Sequence, residues 1–217
     1  MACKNWSDIQ LTVPEWINIW AEDIQEVYPE TIQRMALVID LARTNLAYGG
    51  GPFGAAVFKQ KTGELIAPGV NWVIPGKSSL LHAEVMALAL AEQSLGSYEL
   101  ASDGAFELVT SVEPCCQCLG ALVWSGVSSV VCGARSADAE VVGFDEGPRP
   151  INWEQELVQR GISVRREEMR QEAVKVLQSY TGEMYNANLN RTDSQPQTKE
   201  ITSATHSGAA PITRKNL

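Results

Sequence analysis

Two short stretches in the middle of the chain limit most strongly what it can fold into: His82-Ala83-Glu84 and Pro114-Cys115-Cys116-Gln117-Cys118. The first and last of these cysteines are three positions apart, so they share one face of a helix. A proline precedes them and an apolar run follows, which is typical of a strand that ends in a turn before a helix. Two thiolates and one imidazole form a catalytic zinc set, because three protein ligands leave the fourth tetrahedral position open to water. The pattern therefore predicts a zinc centre held by His82, Cys115 and Cys118.

Each part of this pattern has a simpler explanation when it is taken alone. A lone histidine is more often a core residue than a ligand, and a Cys-x-x-Cys pair also occurs as buried thiols or as a redox dithiol. Glu84 changes that balance, since it lies two residues after His82, close to the predicted metal and free to carry a proton. Cys116 points away from the shared face and is predicted to be structural, and Cys132 is predicted to lie in the core.

Composition limits the class of protein. The 217 residues are 45% apolar and carry a net charge of −9, without an apolar run long enough to cross a membrane. We expect no membrane partner and no nucleic-acid partner, because a protein that grips a polyanion normally presents a basic face. The N-terminus does not resemble a secretory signal, and the five cysteines suit intracellular metal binding better than a disulfide framework. A cytoplasmic protein with a small neutral substrate is expected.

Hydrophobic periodicity predicts one α/β domain. Apolar positions at helical spacing predict helices over 29–45, 82–95, 115–125 and 169–180, and apolar runs predict strands over 55–58, 65–70, 108–112, 129–132 and 161–164. This alternation indicates a sheet covered by helices on both faces, a three-layer α/β/α arrangement. We expect an N-terminal extension over 1–28 that packs its tryptophans on the core or on a second subunit, a domain over 29–187 and a mobile tail over 188–217.

A run of three glycines, Gly49-Gly50-Gly51, precedes the first predicted strand. Such a run can cradle phosphate groups. Here no Gly-Lys-Ser/Thr follows it, and the next element is a strand and not a helix, so a phosphate-binding loop is rejected.

These motifs resemble the cytidine deaminase-like zinc hydrolases, in which the glutamate of His-x-Glu is general acid and base and Pro-Cys-x-x-Cys holds the metal. The shared stretches are 51–57, Asn71, 82–84 and 111–118. A further stretch, Gly143-Phe144-Asp145-Glu146, is similar to one found after the last core strand in bacterial guanine deaminases of this fold. The resemblance covers roughly residues 30–187.

The resemblance implies the reaction and the residues that carry it. It implies zinc-dependent hydrolytic deamination of guanine to xanthine and ammonia, a step of purine catabolism, with metal-bound hydroxide as nucleophile and Glu84 as proton shuttle. Glu146 is implied as a second proton carrier. The residues implied to contact the base are Asn71, Phe53, Ala83, Trp124, Phe144 and Asp145. A homodimer is also implied, with exchanged C-terminal helices as one form of it.

Several alternatives stay open at this point. Phe144 can be simple core packing, and Asp145 and Glu146 can be a solvated turn. The substrate can be guanosine, cytosine or an aminotriazine instead of guanine, whereas a tRNA adenosine deaminase fits the acidic charge less well. A protein of another class, a zinc-stabilised binding protein without catalysis, would have no need for the carboxylate of Glu84.

Overall fold

A five-stranded sheet forms the centre of the computed structural model, which describes residues 13–186. Its strands are β1 (Gly54–Lys59), β2 (Leu65–Val70), β3 (Phe106–Val112), β4 (Ser129–Ala134) and β5 (Ser163–Arg165), in the spatial order β2-β1-β3-β4-β5. Strand β1 pairs antiparallel with β2 and with β3, whereas β3, β4 and β5 run parallel. Strands β1 and β2, predicted over 55–58 and 65–70, form a hairpin.

Eight α-helices accompany the sheet within residues 13–186. They are α1 (Glu15–Glu22), α2 (Thr31–Ala47), α3 (Val73–Gly76), α4 (Ala83–Leu95), α5 (Cys116–Ser125), α6 (Ser136–Val141), α7 (Trp153–Gln159) and α8 (Arg170–Gln178). None of them is both long enough and apolar enough to span a bilayer.

The sheet is buried on both faces, which confirms the predicted three-layer architecture. Side chains of a strand alternate between the two faces, and in β3 Leu108 packs with α4, α5 and α7 while its neighbour Val109 packs with α2 and α8. Both residues are fully buried. Each face therefore has its own layer of helices.

The N-terminal helix α1 joins the core through its aromatic face. Trp16 and Ile17 are buried against Leu41 of α2 and Met86 of α4, and the ring of Trp16 stacks on Tyr48 at 5.2 Å between centroids. The prediction that this segment packs on the core is confirmed for Trp16. Trp6 and the predicted tail over 188–217 lie outside the described residues.

Sequence patterns placed the long elements correctly and missed short ones. The predicted helix over 29–45 is α2, and the strand predicted over 65–70 is β2. Helices α6 and α7 lie where no helix was predicted. Each has only six or seven residues, too few for a periodic apolar pattern, and contacts elsewhere in the fold stabilise them, such as the 2.7 Å ion pair between Asp138 and Arg170.

Candidate active site

The two motif stretches meet beyond the carboxyl end of β3. His82 is the residue that precedes α4, and Cys115 precedes α5, so both ligands sit at helix N-termini. The Nδ1 atom of His82 lies 3.4 Å from the sulfur of Cys115 and 3.5 Å from that of Cys118, and the two sulfurs are 3.6 Å apart. Zinc bonds of about 2.3 Å to sulfur and about 2.0 Å to nitrogen, set at tetrahedral angles, separate such atoms by about 3.5–3.8 Å. The three side chains therefore have the spacing that a zinc ion requires.

Electrostatics around these thiols also favours a cation. The pKa of Cys115 falls to about 4, mainly because of its side-chain hydrogen bond with Cys118, with His82 as a further cause. The pKa of Cys118 is correspondingly raised. Without a metal the pair thus shares one proton, whereas a bound Zn²⁺ would take both sulfurs as thiolates and cancel their charge. Cys116 lies outside this cluster.

Glu84 lies beside the cluster on the first turn of α4. Only 7% of it is exposed. Its carboxylate accepts hydrogen bonds from the hydroxyl of Thr110 at 3.3 Å and from the sulfur of Cys118 at 3.2 Å. Burial raises the pKa of Glu84, and the negative charge of Cys115 raises it further. A carboxyl group in this setting binds a proton more readily than one in water, which suits proton transfer.

A second buried carboxyl group, that of Glu146, lies in the loop after α6. The hydroxyl of Ser136 donates to it at 3.4 Å. Burial, followed by the charges of Cys115 and Glu84, raises the pKa of Glu146 to about 8. This side chain is therefore not the solvated turn that the sequence left open. Its raised pKa favours the protonated form.

Glu113 connects that loop to the end of β3. Its carboxylate, 3% exposed, accepts hydrogen bonds from Arg166 at 2.6 Å, from Arg149 at 3.3 Å and from the backbone N–H of Ser136 at 3.1 Å. The two guanidinium groups lie over the ring of Trp153. Glu113 lies in the shared stretch 111–118, and no role was predicted for it.

A cavity opens between the cluster and the two glutamates. Its walls include His82, Glu84, Cys115 and Glu146 together with three of the residues predicted to contact the base, Phe53, Asn71 and Asp145. Asn71 is 2% exposed and follows β2 directly. The structure therefore brings together the predicted metal ligands, both glutamates that were predicted to carry protons, and a buried amide.

Three other predicted base-contacting residues lie elsewhere. Phe144 is 3% exposed and packs its ring edge on Phe53 behind the cavity wall, 4.7 Å between centroids. Ala83 is fully buried, and the cavity wall does not include it. Trp124 is 80% exposed on the outer side of α5, so its predicted position near the metal pocket is wrong. It follows Cys115 by nine positions, and at 3.6 residues per turn that places it on the opposite side of the helix.

Two residues beyond α8 complete the cavity and were missed by sequence analysis. The hydroxyl of Tyr185 accepts a hydrogen bond from Nδ2 of Asn71 at 3.1 Å, and its ring meets that of His82 edge-on at 5.7 Å. Asn186 donates to the carbonyl of Asp145 at 2.7 Å. Tyr185 and Asn71 are 114 residues apart in the sequence, so no local sequence pattern predicts their contact.

Comparison with known proteins agrees with the geometry. Residues 29–134 match the model of the cytidine and deoxycytidylate deaminase zinc-binding region. The fold and the site thus define a deaminase of the zinc-binding class. A guanine deaminase of Bacillus subtilis is 39% identical over 117 residues, which are 54% of this chain and 71% of that protein. The chain belongs to the cytidine and deoxycytidylate deaminase family.

Two solved structures are similar over most of the molecule. A guanine deaminase from Nitrosomonas europaea is 46% identical, with a TM-score of 0.75 over 79% of this chain and 94% of that one. The structure of NE0047 in complex with 2,6-diaminopurine is 47% identical, with a TM-score of 0.76 over 82% of this chain and 96% of that one.

Proposed function

We propose that this enzyme converts guanine and water to xanthine and ammonia. The observation that carries the proposal is the single cavity in which the His-Cys-Cys cluster, two buried proton-binding carboxyl groups and the amide of Asn71 meet. The names of the similar proteins, guanine deaminases from two bacteria, support guanine as the base. The purine analogue bound in the similar structure of NE0047 supports a small-molecule substrate.

His82, Cys115 and Cys118 would hold zinc, as their spacing and thiol chemistry support. When bound, the ion supplies a Lewis acid that lowers the pKa of water toward neutrality. Glu84 stands next to this position and accepts the proton that the water loses. It then delivers that proton to a ring nitrogen of guanine while the new C2–O bond forms.

Glu146 would deliver the proton for the leaving group. Its raised pKa favours the protonated form, so it can donate to the exocyclic nitrogen as the C2–N bond breaks and ammonia departs. The hydroxyl group on C2 would then become the carbonyl of xanthine and give its proton to the Glu146 carboxylate, which restores the carboxyl group. The two glutamates would then act on opposite halves of the reaction, Glu84 on the water and ring and Glu146 on the amine. Their raised pKa values and shared cavity support this division.

Asn71 would recognise the base. An amide offers both a donor and an acceptor, which matches the mixed edge of guanine. Tyr185 accepts one of the two Nδ2 hydrogens of Asn71. Within residues 13–186 no other hydrogen bond uses the second hydrogen or Oδ1, so both can bind a ligand. Phe53 would wall the ring, with Phe144 packed behind it, and Asp145 would line the entrance.

The enzyme would act in the cytoplasm, in purine catabolism, and as a homodimer. Free metal-binding thiols suit a reducing compartment. An apolar surface around the outer side of α5 supports self-association: Trp124 and Ile151 are exposed next to a groove lined by Val123 and Trp153. A dimer with exchanged C-terminal helices stays a prediction; in the single chain α8 packs on β4 and α2.

The direct test measures ammonia release from the zinc-loaded protein with guanine, guanosine, adenine, cytosine, cytidine and an aminotriazine. Turnover of guanine well above the other bases supports the proposal. If guanine is inert while another base reacts, the zinc chemistry stands and the substrate is wrong. If no base reacts although zinc is bound, the protein is a zinc-stabilised binding protein.

A further inference from the structure

The glycine run that does not bind phosphate has a different partner, the side chain of Asn45. Asn45 lies on the last turn of α2 and is fully buried. Its Nδ2 donates to the carbonyl of Asn71 at 2.8 Å and to the carbonyl of Gly51 at 2.9 Å. Both hydrogens of the amide are thereby used, and one of them holds the residue that would recognise the base.

The direction of the Asn45 amide follows from these partners. Rotating it by half a turn would place Oδ1 against two carbonyl oxygens, which would leave no donor between them. In the observed orientation Oδ1 is buried without a hydrogen-bond partner among the described residues. A buried acceptor without a partner is unfavourable, so the contribution of Asn45 lies in its two donated hydrogen bonds.

The backbone of Asn71 is fixed on both sides. Its carbonyl accepts from the N–H of Gly51 at 3.0 Å as well as from Asn45, and its own N–H donates to the carbonyl of Phe53 at 3.1 Å. Asn45, the glycine loop and Asn71 therefore form one hydrogen-bonded unit, and its far end is the cavity wall.

Glycine is required at positions 50 and 51, where the backbone of the loop lies closest to the amides of Asn45 and Asn71. A Cβ on Gly51 would lie 2.6 Å from Oδ1 of Asn71, and a Cβ on Gly50 would lie 2.2 Å from Nδ2 of Asn45. Real side chains do not approach so closely, so either methyl group would displace an amide. The two glycines leave the space that the amides of Asn45 and Asn71 occupy.

We propose that Asn45 is a positioning residue for purine recognition, acting through Asn71. Asn45 does not line the cavity, and its effect on a bound base comes from holding the Asn71 backbone, so that the Asn71 amide meets the ring at a fixed distance and angle. The proposal rests on the proposed function, since it assumes that Asn71 binds the base. A small displacement of a positioning group is enough to weaken recognition by one or two orders of magnitude.

The test is a double-mutant cycle on Asn45→Asp and Asn71→Ala, built in a Glu84→Gln background that suppresses turnover. Asp has the same size as Asn but at most one donor hydrogen, whatever its protonation state. Calorimetric titration with 8-azaguanine gives the affinity of the four zinc-loaded proteins. Asn45→Asp should weaken binding by about tenfold when Asn71 is present, and by less than about twofold when Asn71 is already Ala. Zinc content should stay unchanged.

A purely structural role of Asn45 gives a different result. If Asn45→Asp loosens the fold in general, its loss of affinity adds to that of Asn71→Ala and does not disappear in the double variant. Additive losses, or no loss from Asn45→Asp, would overturn the inference. Glu107→Gln is the matched control: Glu107 forms a buried 2.8 Å ion pair with Arg34 near the start of β3, away from the cavity. That change should lower stability and leave the affinity for 8-azaguanine within about twofold of the parent.

Gly51→Ala replaces Asn45→Asp if the latter does not fold. The backbone of Gly51 is outside the left-handed region, so the added methyl acts through its contact with Asn71, and the same loss of affinity is expected. If the parent binds 8-azaguanine and neither variant differs from it, only this inference falls. If the parent does not bind and the wild type does not deaminate guanine, the proposed function falls and this inference falls with it.

Discussion

Replacing Glu84 by glutamine separates proton transfer from metal binding. The two side chains have the same shape, and both contacts of Glu84 can persist in the variant. The hydroxyl of Thr110, 3.3 Å away, can donate to the amide oxygen, and the amide nitrogen can donate to the sulfur of Cys118, 3.2 Å away. Because His82 and both cysteines are untouched, we expect Glu84→Gln to bind as much zinc as the wild type.

Turnover should nevertheless collapse. A positioned general acid or base contributes about 10²–10⁴-fold to a rate. Glu84 would serve the water first and the ring nitrogen afterwards, so the upper part of that range applies. We expect a loss of about 10³–10⁴-fold in kcat, which is about 4–5.5 kcal/mol at about 1.36 kcal/mol per factor of ten.

The assay is ammonia release from guanine, measured beside zinc content by atomic absorption on the same samples. Glu92→Gln is the control, since it makes the same chemical change two turns further along α4, and it should keep activity within about twofold. If zinc is lost in parallel with activity, Glu84 supports the metal and not the proton. Activity within tenfold of the wild type would refute its role as proton carrier.

Three further predictions concern the loop, the C-terminal segment and the surface. The pKa of Glu146 is raised to about 8, so the folded protein holds this proton more tightly than the unfolded chain does. The metal-free wild type should therefore lose stability as pH rises from about 4.5 to about 8. Denaturant unfolding in the presence of a chelator should show a smaller loss of stability with pH for Glu146→Gln, and an equal pH dependence in the two proteins would contradict the assignment. Tyr185→Phe removes the acceptor of the Asn71 hydrogen bond and should lower kcat/KM for guanine by about two- to tenfold with zinc retained; unchanged kinetics would show that the hydroxyl is dispensable. Trp124→Glu places a charge on the exposed apolar surface and should shift a dimer toward monomer in sedimentation experiments, whereas an unaltered dimer would place the interface elsewhere.

The catalytic cluster could be predicted from sequence because its parts are local. The spacing of Cys115 and Cys118 within one helical turn places both sulfurs together, and Glu84 follows His82 at the start of another helix. Periodicity also predicted the long helices and the strands, since their apolar positions repeat often enough to be recognised. The same rule would have corrected the prediction for Trp124, whose position on α5 faces away from the metal.

The base-binding side of the cavity depended on contacts between distant segments. Tyr185 reaches Asn71 from beyond the last helix, and Asn45 reaches the same residue from α2. Such pairs are fixed by how the elements pack, and no short pattern encodes them. The interpretation of Glu146 had the same limit, because its pKa is raised by its burial in the fold and by the charges of Cys115 and Glu84, which lie elsewhere in the sequence.

Sequence alone predicted the α/β architecture from periodicity, the metal ligands from two short motifs, and the family from the resemblance that these motifs carry. Tertiary structure decided which polar groups face the cavity and which proton each carboxyl group holds. The physical reason is that local spacing sets the direction of side chains on one element, whereas burial and hydrogen bonding between elements set the electrostatic environment in which those side chains act.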